Sequence, residues 1–162
     1  MVTVDEPAPN FTLPASYGDS YDDVGEFTLA ESAHETVVLA FFPAAFTGGC
    51  TEEMCNFRDS IAQFNDSDAQ VYGISVDLPP ALNVFSQKHG LTFPLLSDFN
   101  QVAIEKYDVV RENLYGVTGV ARRSIFVVHD GTVVYRWVKG EDEELSYAAL
   151  VEEAERAVAE RT

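Results

Sequence analysis

Cysteine, lysine and long apolar runs are all scarce in this chain of 162 residues. With only two cysteines, it cannot be one of the disulfide-stapled secreted scaffolds. Neither thiol stands in a zinc-ligand spacing with His34, His89 or His129, and two thiols alone fill half of zinc's four positions. A reducing compartment, no metal and no cofactor are the expectations. No segment approaches the ~20 apolar residues of a membrane span. The N-terminal stretch "MVTVDEPAPNFTLPAS" carries acids and prolines where a signal peptide has a basic region and an apolar one. These features predict a soluble cytoplasmic protein with no membrane partner. Basic residues are few as well: 10 Lys and Arg face 27 Asp and Glu, a formal net charge of −17. That field repels nucleic acid and anionic lipid, so both are excluded as partners.

What is abundant is acid. Repulsion of this size strains a compact fold unless salt screens it, and at about 1 M salt the Debye length falls to roughly 3 Å. The acid excess resembles that of proteins from salt-accumulating halophiles; an acidic protein of ordinary cytoplasm is the alternative. There is no repeat, low-complexity tract or separating linker, and the acidic loop region "YGDSYDDVGE" (17–26) is too short to be one. A single domain over 1–162 is expected, long enough to bury a sizeable core without staples.

Strand and helix patterns alternate along it. "TVVLAFF" (36–42), ended by Pro43, and "AQVYGISV" (69–76) are short continuous apolar runs, as expected of strands buried on both faces. Between them Met54, Phe57, Ile61 and Phe64 recur at helical spacing. A second helix enters after Asp77 at Pro79 and Pro80, carries Ala81, Leu82 and Phe85 on its apolar side, and stops at Gly90. "FPLLSD" (93–98) reads as a short strand and "NQVAIEKY" (100–107) as a short helix. Asp130-Gly131 marks a tight hairpin between two β-rich runs. From Glu143 a closing helix is expected, with Leu145, Ala148, Val151, Ala154 and Val158 inward. A β-α-β crossover, a hairpin and a last helix make an α/β protein with a mixed central sheet covered by helices, the layout of a thioredoxin-like fold.

Both cysteines fall in "FFPAAFTGGCTEEMC" (41–55). At 100° per residue, Cys50 joins the apolar stripe of Met54, Phe57, Ile61 and Phe64, while Cys55 lies about 140° around the helix, on the outer face. Their Cα atoms would be roughly 8.6 Å apart, beyond the about 7 Å a disulfide tolerates. The two thiols can therefore bond only if the first turn unwinds. The helix start favours a thiolate at Cys50 through its free N–H groups and dipole, so Cys50 is a candidate nucleophile. A buried structural cysteine is the bland alternative. Pro43 ends the strand, Thr47 supplies a hydroxyl, and Gly48-Gly49 permits close approach of a small ligand.

Pro43-x-x-x-Thr47-x-x-Cys50 resembles the peroxiredoxin signature, and "CTEEMCNFRD" is similar to the Q-type (bacterioferritin-comigratory) branch, whose second cysteine lies five residues on. "PAPNFTLP", "YGISVD", "KHGLTFPLLSD" and "RSIFVVHDG" follow in the family's order, so the resemblance spans nearly the whole chain. It implies a thiol-dependent peroxidase that reduces hydrogen peroxide and organic hydroperoxides through a sulfenic acid on Cys50. Thr47 and nearby backbone N–H groups would stabilise the leaving oxygen. The family's arginine maps to Arg123, and strand alternation turns the adjacent Arg122 to the other face, as a surface charge. Pro43 would shield the sulfenic acid, and Phe41, Phe42 and Phe46 would tolerate an organic peroxide. Cys55 would resolve Cys50 as an intramolecular disulfide, recycled by thioredoxin or a similar dithiol. Glu53 matches an acidic position of the family motif or simply complements the helix dipole. The chain would act as a monomer or homodimer.

The loop "FFPAAFTGG" departs from the charged, proline-containing loop of the Q-type branch and resembles a one-cysteine branch, in which an external thiol resolves the sulfenic acid. A non-enzymatic peroxide sensor using Cys50 is the rival of a different class. A thioredoxin-like disulfide reductase requires Cys-x-x-Cys, and the spacing here is Cys-x4-Cys.

Overall fold

The computed structural model describes residues 2–32 and 35–161; His34 lies outside them. An antiparallel pair, β1 (Thr12–Ser16) and β2 (Val24–Thr28), leads to a buried strand β3 (Thr36–Phe41) and the long helix α1 (Gly48–Asp66). β4 (Ala69–Ser75), α2 (Pro79–His89), β5 (Leu95–Ser97) and α3 (Val102–Lys106) follow. The two-residue strands β6 (Val110–Arg111) and β7 (Val120–Ala121) pair with each other. The hairpin β8 (Ser124–His129) and β9 (Thr132–Val138) precedes the closing helix α4 (Tyr147–Ala159).

Seven strands form one sheet in the order β2-β1-β5-β4-β3-β8-β9. β3, β4 and β5 run parallel, and β1, β2, β8 and β9 add antiparallel flanks, so the sheet is mixed and thioredoxin-like. Every residue of β3 is buried, which is why its sequence after Thr36 is a continuous apolar run rather than alternating. Its side chains still divide between faces. Val38 and Ala40, with Phe42 just beyond, join α1, α2 and α4 in one core, whereas Val37, Leu39 and Phe41 join β1 and α3 in the other. Each such large side chain contributes about 1.5–3 kcal/mol on burial.

The apolar stripe of α1 packs as its spacing predicts. Met54, Phe57 and Phe64 are buried and Ile61 is partly buried against the same core. α2 starts on its prolines and ends at Gly90, whose φ of 61° is left-handed. Asp130 and Gly131 have φ of 52° and 78°, the double positive that a type I′ hairpin turn demands.

Three expectations are corrected. α4 begins at Tyr147, because Ser146 caps it by accepting the Ala149 N–H at 3.2 Å, so Glu143 to Leu145 precede the helix. Ala148 is consequently exposed and Leu150 takes the buried position. Finally, the acidic segment 17–26 is not all loop, since Val24–Glu26 belong to the edge strand β2. Its remainder is pinned by the buried Asn83, which accepts from Gly18 N–H and donates to the carbonyls of Tyr21 and Asp23.

Candidate active site

Beyond the end of β3 the chain passes through Phe42 and the buried Pro43 before turning into α1. That turn is anchored to the tip of β4. Phe42 N–H donates to Ile74 O at 2.9 Å, and Asp77 Oδ2 accepts from both Ala45 N–H at 2.8 Å and Ser75 Oγ at 2.7 Å. Phe46, with φ of 67°, completes the reversal. Thr47 is the N-cap residue, yet its hydroxyl does not cap the helix. It donates instead to Ala44 O at 2.9 Å, which keeps it beside the loop.

Cys50 is the third residue of α1, is 1% exposed, and packs in the same core as Met54 and Phe57. Cys55 is half-buried on the same unbroken helix, and both thiols are free. Arg123 meets the sulfur from the residue before β8: its Nη2 and Nη1 donate to Cys50 Sγ at 3.4 and 3.7 Å. Arg122 instead pairs with Glu141 at 3.0 Å. Thus the structure brings Thr47, Cys50 and Arg123 together, with Pro43 buried in the loop that leads to them.

Two further residues build the site and were not given these roles from sequence. Glu53 is fully buried, with Oε2 at 3.4 Å from Arg123 Nη1, and so is no solvent-facing complement to the helix dipole. It lies one turn after Cys50, a same-face spacing that offered a signal. Tyr147, at the start of α4, covers Arg123 with its ring, the guanidinium carbon 5.2 Å from the centroid. No local pattern announces that contact. It also explains one glycine: a Cβ on Gly49 would stand 2.6 Å from the Tyr147 hydroxyl and 3.0 Å from Arg123 Nη2. Around Gly48 a Cβ would meet only open space.

Electrostatics departs from expectation as well. Burial pushes the Glu53 carboxyl up to about 8, outweighing the pull of Arg123. Burial thus favours the neutral form of Glu53, while what charge it carries acts on Cys50 in the opposite sense to Arg123. Glu53 Oε1 and Arg123 Nε find no hydrogen-bond partner among the described residues. Burial also pushes the Cys50 thiol up, against the Ala44 N–H, the Thr47 hydroxyl and Arg123, which pull it down. Desolvation is the largest of these effects, and Glu53 adds to it.

The aromatic surroundings are sorted by the sheet. Phe42 shares the core of Cys50, Phe41 belongs to the opposite core, and Phe46 is 48% exposed with its ring edge-on to Phe85 at 5.2 Å.

A shielded sulfur met by an arginine at the first turn of a helix, on a thioredoxin-like sheet, defines a thiol-dependent peroxidase of the peroxiredoxin class. The AhpC/TSA family matches residues 4–136, and the chain belongs to it. It is 38% identical over 136 residues to a peroxiredoxin-like protein of Mycobacterium tuberculosis strain H37Rv, covering 82% of this chain and 83% of that one. It is 33% identical over 136 residues to peroxiredoxin Bcp of Xanthomonas campestris, covering 82% of each. The crystal structure of peroxidoxin BcpB from Mycobacterium tuberculosis superposes with a TM-score of 0.85 at 28% identity, over 100% of this chain and 99% of that one. Among the described residues no helix is long and apolar enough to cross a membrane.

Proposed function

We propose that Cys50 is the sulfur that reacts with peroxide. The observation that carries this reading is the approach of both Arg123 terminal nitrogens, at 3.4 and 3.7 Å, to a sulfur otherwise sealed from solvent. The thiolate attacks one oxygen of ROOH; the S–O bond forms as the O–O bond breaks. Sulfur loses two electrons to become Cys50–SOH, and RO⁻ takes a proton from solvent to leave as ROH or water. Arg123 and Thr47 are the donors for the oxygen that gains charge. Pro43 shields the sulfenic acid by packing.

Cys55 resolves it: Cys55–SH and Cys50–SOH condense to a disulfide with release of water, and a thioredoxin-like dithiol returns both thiols. Because both cysteines lie on one unbroken helix, this step requires the first turns of α1 to unwind. The same continuity favours a second reading, in which an external thiol takes the place of Cys55. Mass spectrometry after one equivalent of hydrogen peroxide separates the two. A loss of two hydrogens supports the internal disulfide, and a gain of one oxygen that persists in the wild type supports the external thiol.

On this reading the protein works in the cytoplasm, as a monomer or homodimer, on hydrogen peroxide and organic hydroperoxides. The net charge of −17 supports adaptation to high salt. A thermal midpoint that does not rise between low and molar salt removes that adaptation.

A further inference from the structure

A second feature adjoins Arg123. Arg111, Arg122, Arg123 and Lys139 line a hollow of about 290 Å³, and no acidic residue lines it. In a chain with 27 acids and 10 Lys and Arg, four cations facing one hollow are a marked concentration. Backbone pairing assembles them. Lys139 N–H donates to Arg123 O at 2.9 Å, Arg122 N–H donates to Val109 O, and Gly119 N–H donates to Arg111 O at 3.0 Å. β6, β7 and the β8–β9 hairpin thereby hold the four side chains at one place.

Their charges are only partly answered. Arg122 pairs with Glu141, which is shared with Arg136 at 3.2 Å. Arg111 uses Nε on the Asn113 carbonyl at 2.9 Å, and neither it nor Lys139 has an ion pair among the described residues. A neighbouring hollow shares Arg123 and Lys139 but is lined also by Trp137, Tyr147 and Glu144, and lacks this one-sided charge.

We propose that this hollow binds the carboxylate of a small acidic reactant while that reactant's other end reaches Cys50. The inference rests on the peroxidase reading above. Guanidinium forks match a carboxylate in geometry as well as charge, and Arg123 belongs both to the hollow and to the sulfur's surroundings. The negative field over the rest of the surface repels such an anion, so the cationic hollow is where it gains most. Two reactants share the chemistry: a hydroperoxide that carries a carboxylate, such as a fatty-acid hydroperoxide, and a small carboxylate-bearing thiol that reduces Cys50–SOH.

The test compares acid with ester in two arms, for the wild type and for the double variant Arg111→Gln/Lys139→Gln. The peroxide arm uses a hydroperoxy fatty acid and its methyl ester with a common dithiol; the thiol arm uses 3-mercaptopropionate and its methyl ester with hydrogen peroxide. The acid-to-ester ratio of kcat/KM is expected to fall about tenfold in the double variant, the scale of a lost hydrogen bond to a charged group. Hydrogen peroxide turnover with the dithiol should stay unchanged. A fall in the peroxide arm identifies the substrate as the acid, and a fall in the thiol arm identifies the reductant. Equal ratios in both arms overturn the hollow's role while the peroxidase reading stands. Absence of hydrogen peroxide reduction by the wild type overturns that reading, and the hollow's role with it.

Discussion

Cys50 and Cys55 sit on the same helix, yet their surroundings have little in common. Cys50 is sealed into the core with Arg123 and a threonine hydroxyl against it, whereas Cys55 is half-buried on the outer face, where Arg58 is the charge that acts on it. The lesson is that reactivity toward peroxide comes less from the thiol than from what its neighbours offer to the departing oxygen. Burial alone works against ionisation of Cys50, so the donors have to offset desolvation before they can aid the reaction.

The comparison breaks most sharply at Cys50→Ser, for which peroxide consumption should vanish. Any consumption above the buffer blank moves the nucleophile elsewhere. Next in size is Arg123→Met, expected to lower kcat/KM for hydrogen peroxide by about 10²–10³, as loss of a donor to developing charge does; Thr47→Val should cost about 10². Both changes remove groups that lower the Cys50 pKa. The rising limb of rate against pH should therefore shift to higher pH in each, and a limb that stays put argues that another group governs it.

Tyr147→Ala should reduce kcat/KM about fivefold, the worth of roughly 1 kcal/mol for a cation–π contact, with Tyr147→Phe retaining most of it. Equal losses in the two variants would point to the hydroxyl rather than the ring. Glu53→Gln acts mainly on stability. The folded-state carboxyl is raised to about 8 from 4.5, so between those values the folded chain keeps a proton that the unfolded chain has released. Wild-type stability must then fall as pH rises across that window, and the glutamine variant should fall less steeply in denaturant titrations. The smallest effect on the peroxide step is expected for Cys55→Ser. Its first oxidation should proceed within about twofold of wild type, while dithiol-driven turnover declines. Full turnover in that variant would assign resolution to an external thiol.

Much of this arrangement was legible because local rules and the fold agree. The buried strand β3, the stripe of α1, the prolines opening α2 and the Asp130-Gly131 turn each follow from a short segment whose pattern has one favourable reading. Arg123 could be singled out from Arg122 only through the family resemblance, whose arginine stands three residues before "FVV". β2 was missed, since "VGEFT" carries a glycine and a glutamate and, as an edge strand, has little apolar patterning to betray it. The start of α4 was misplaced because a run of acids before Ser146 reads as helical until the cap is seen. Glu53 could be read either as the acid of the family motif or as a complement to the helix dipole, and only its spacing from Cys50 hinted that it would be buried against Arg123.

From the sequence alone came the alternation of strands and helices, the assignment of Cys50 to the apolar face of α1 and of Cys55 to the outer one, and the spacing that keeps the two apart in an intact helix. These depend on the periodicity of backbone geometry, which neighbouring residues already specify. The tertiary structure alone decided that burial pushes the Cys50 thiol and the Glu53 carboxyl up, that Tyr147 backs the arginine, and that four cations converge beside it. Those outcomes depend on which groups are removed from water together, and residues far apart in the chain share water or exclude it only once the sheet and helices have packed.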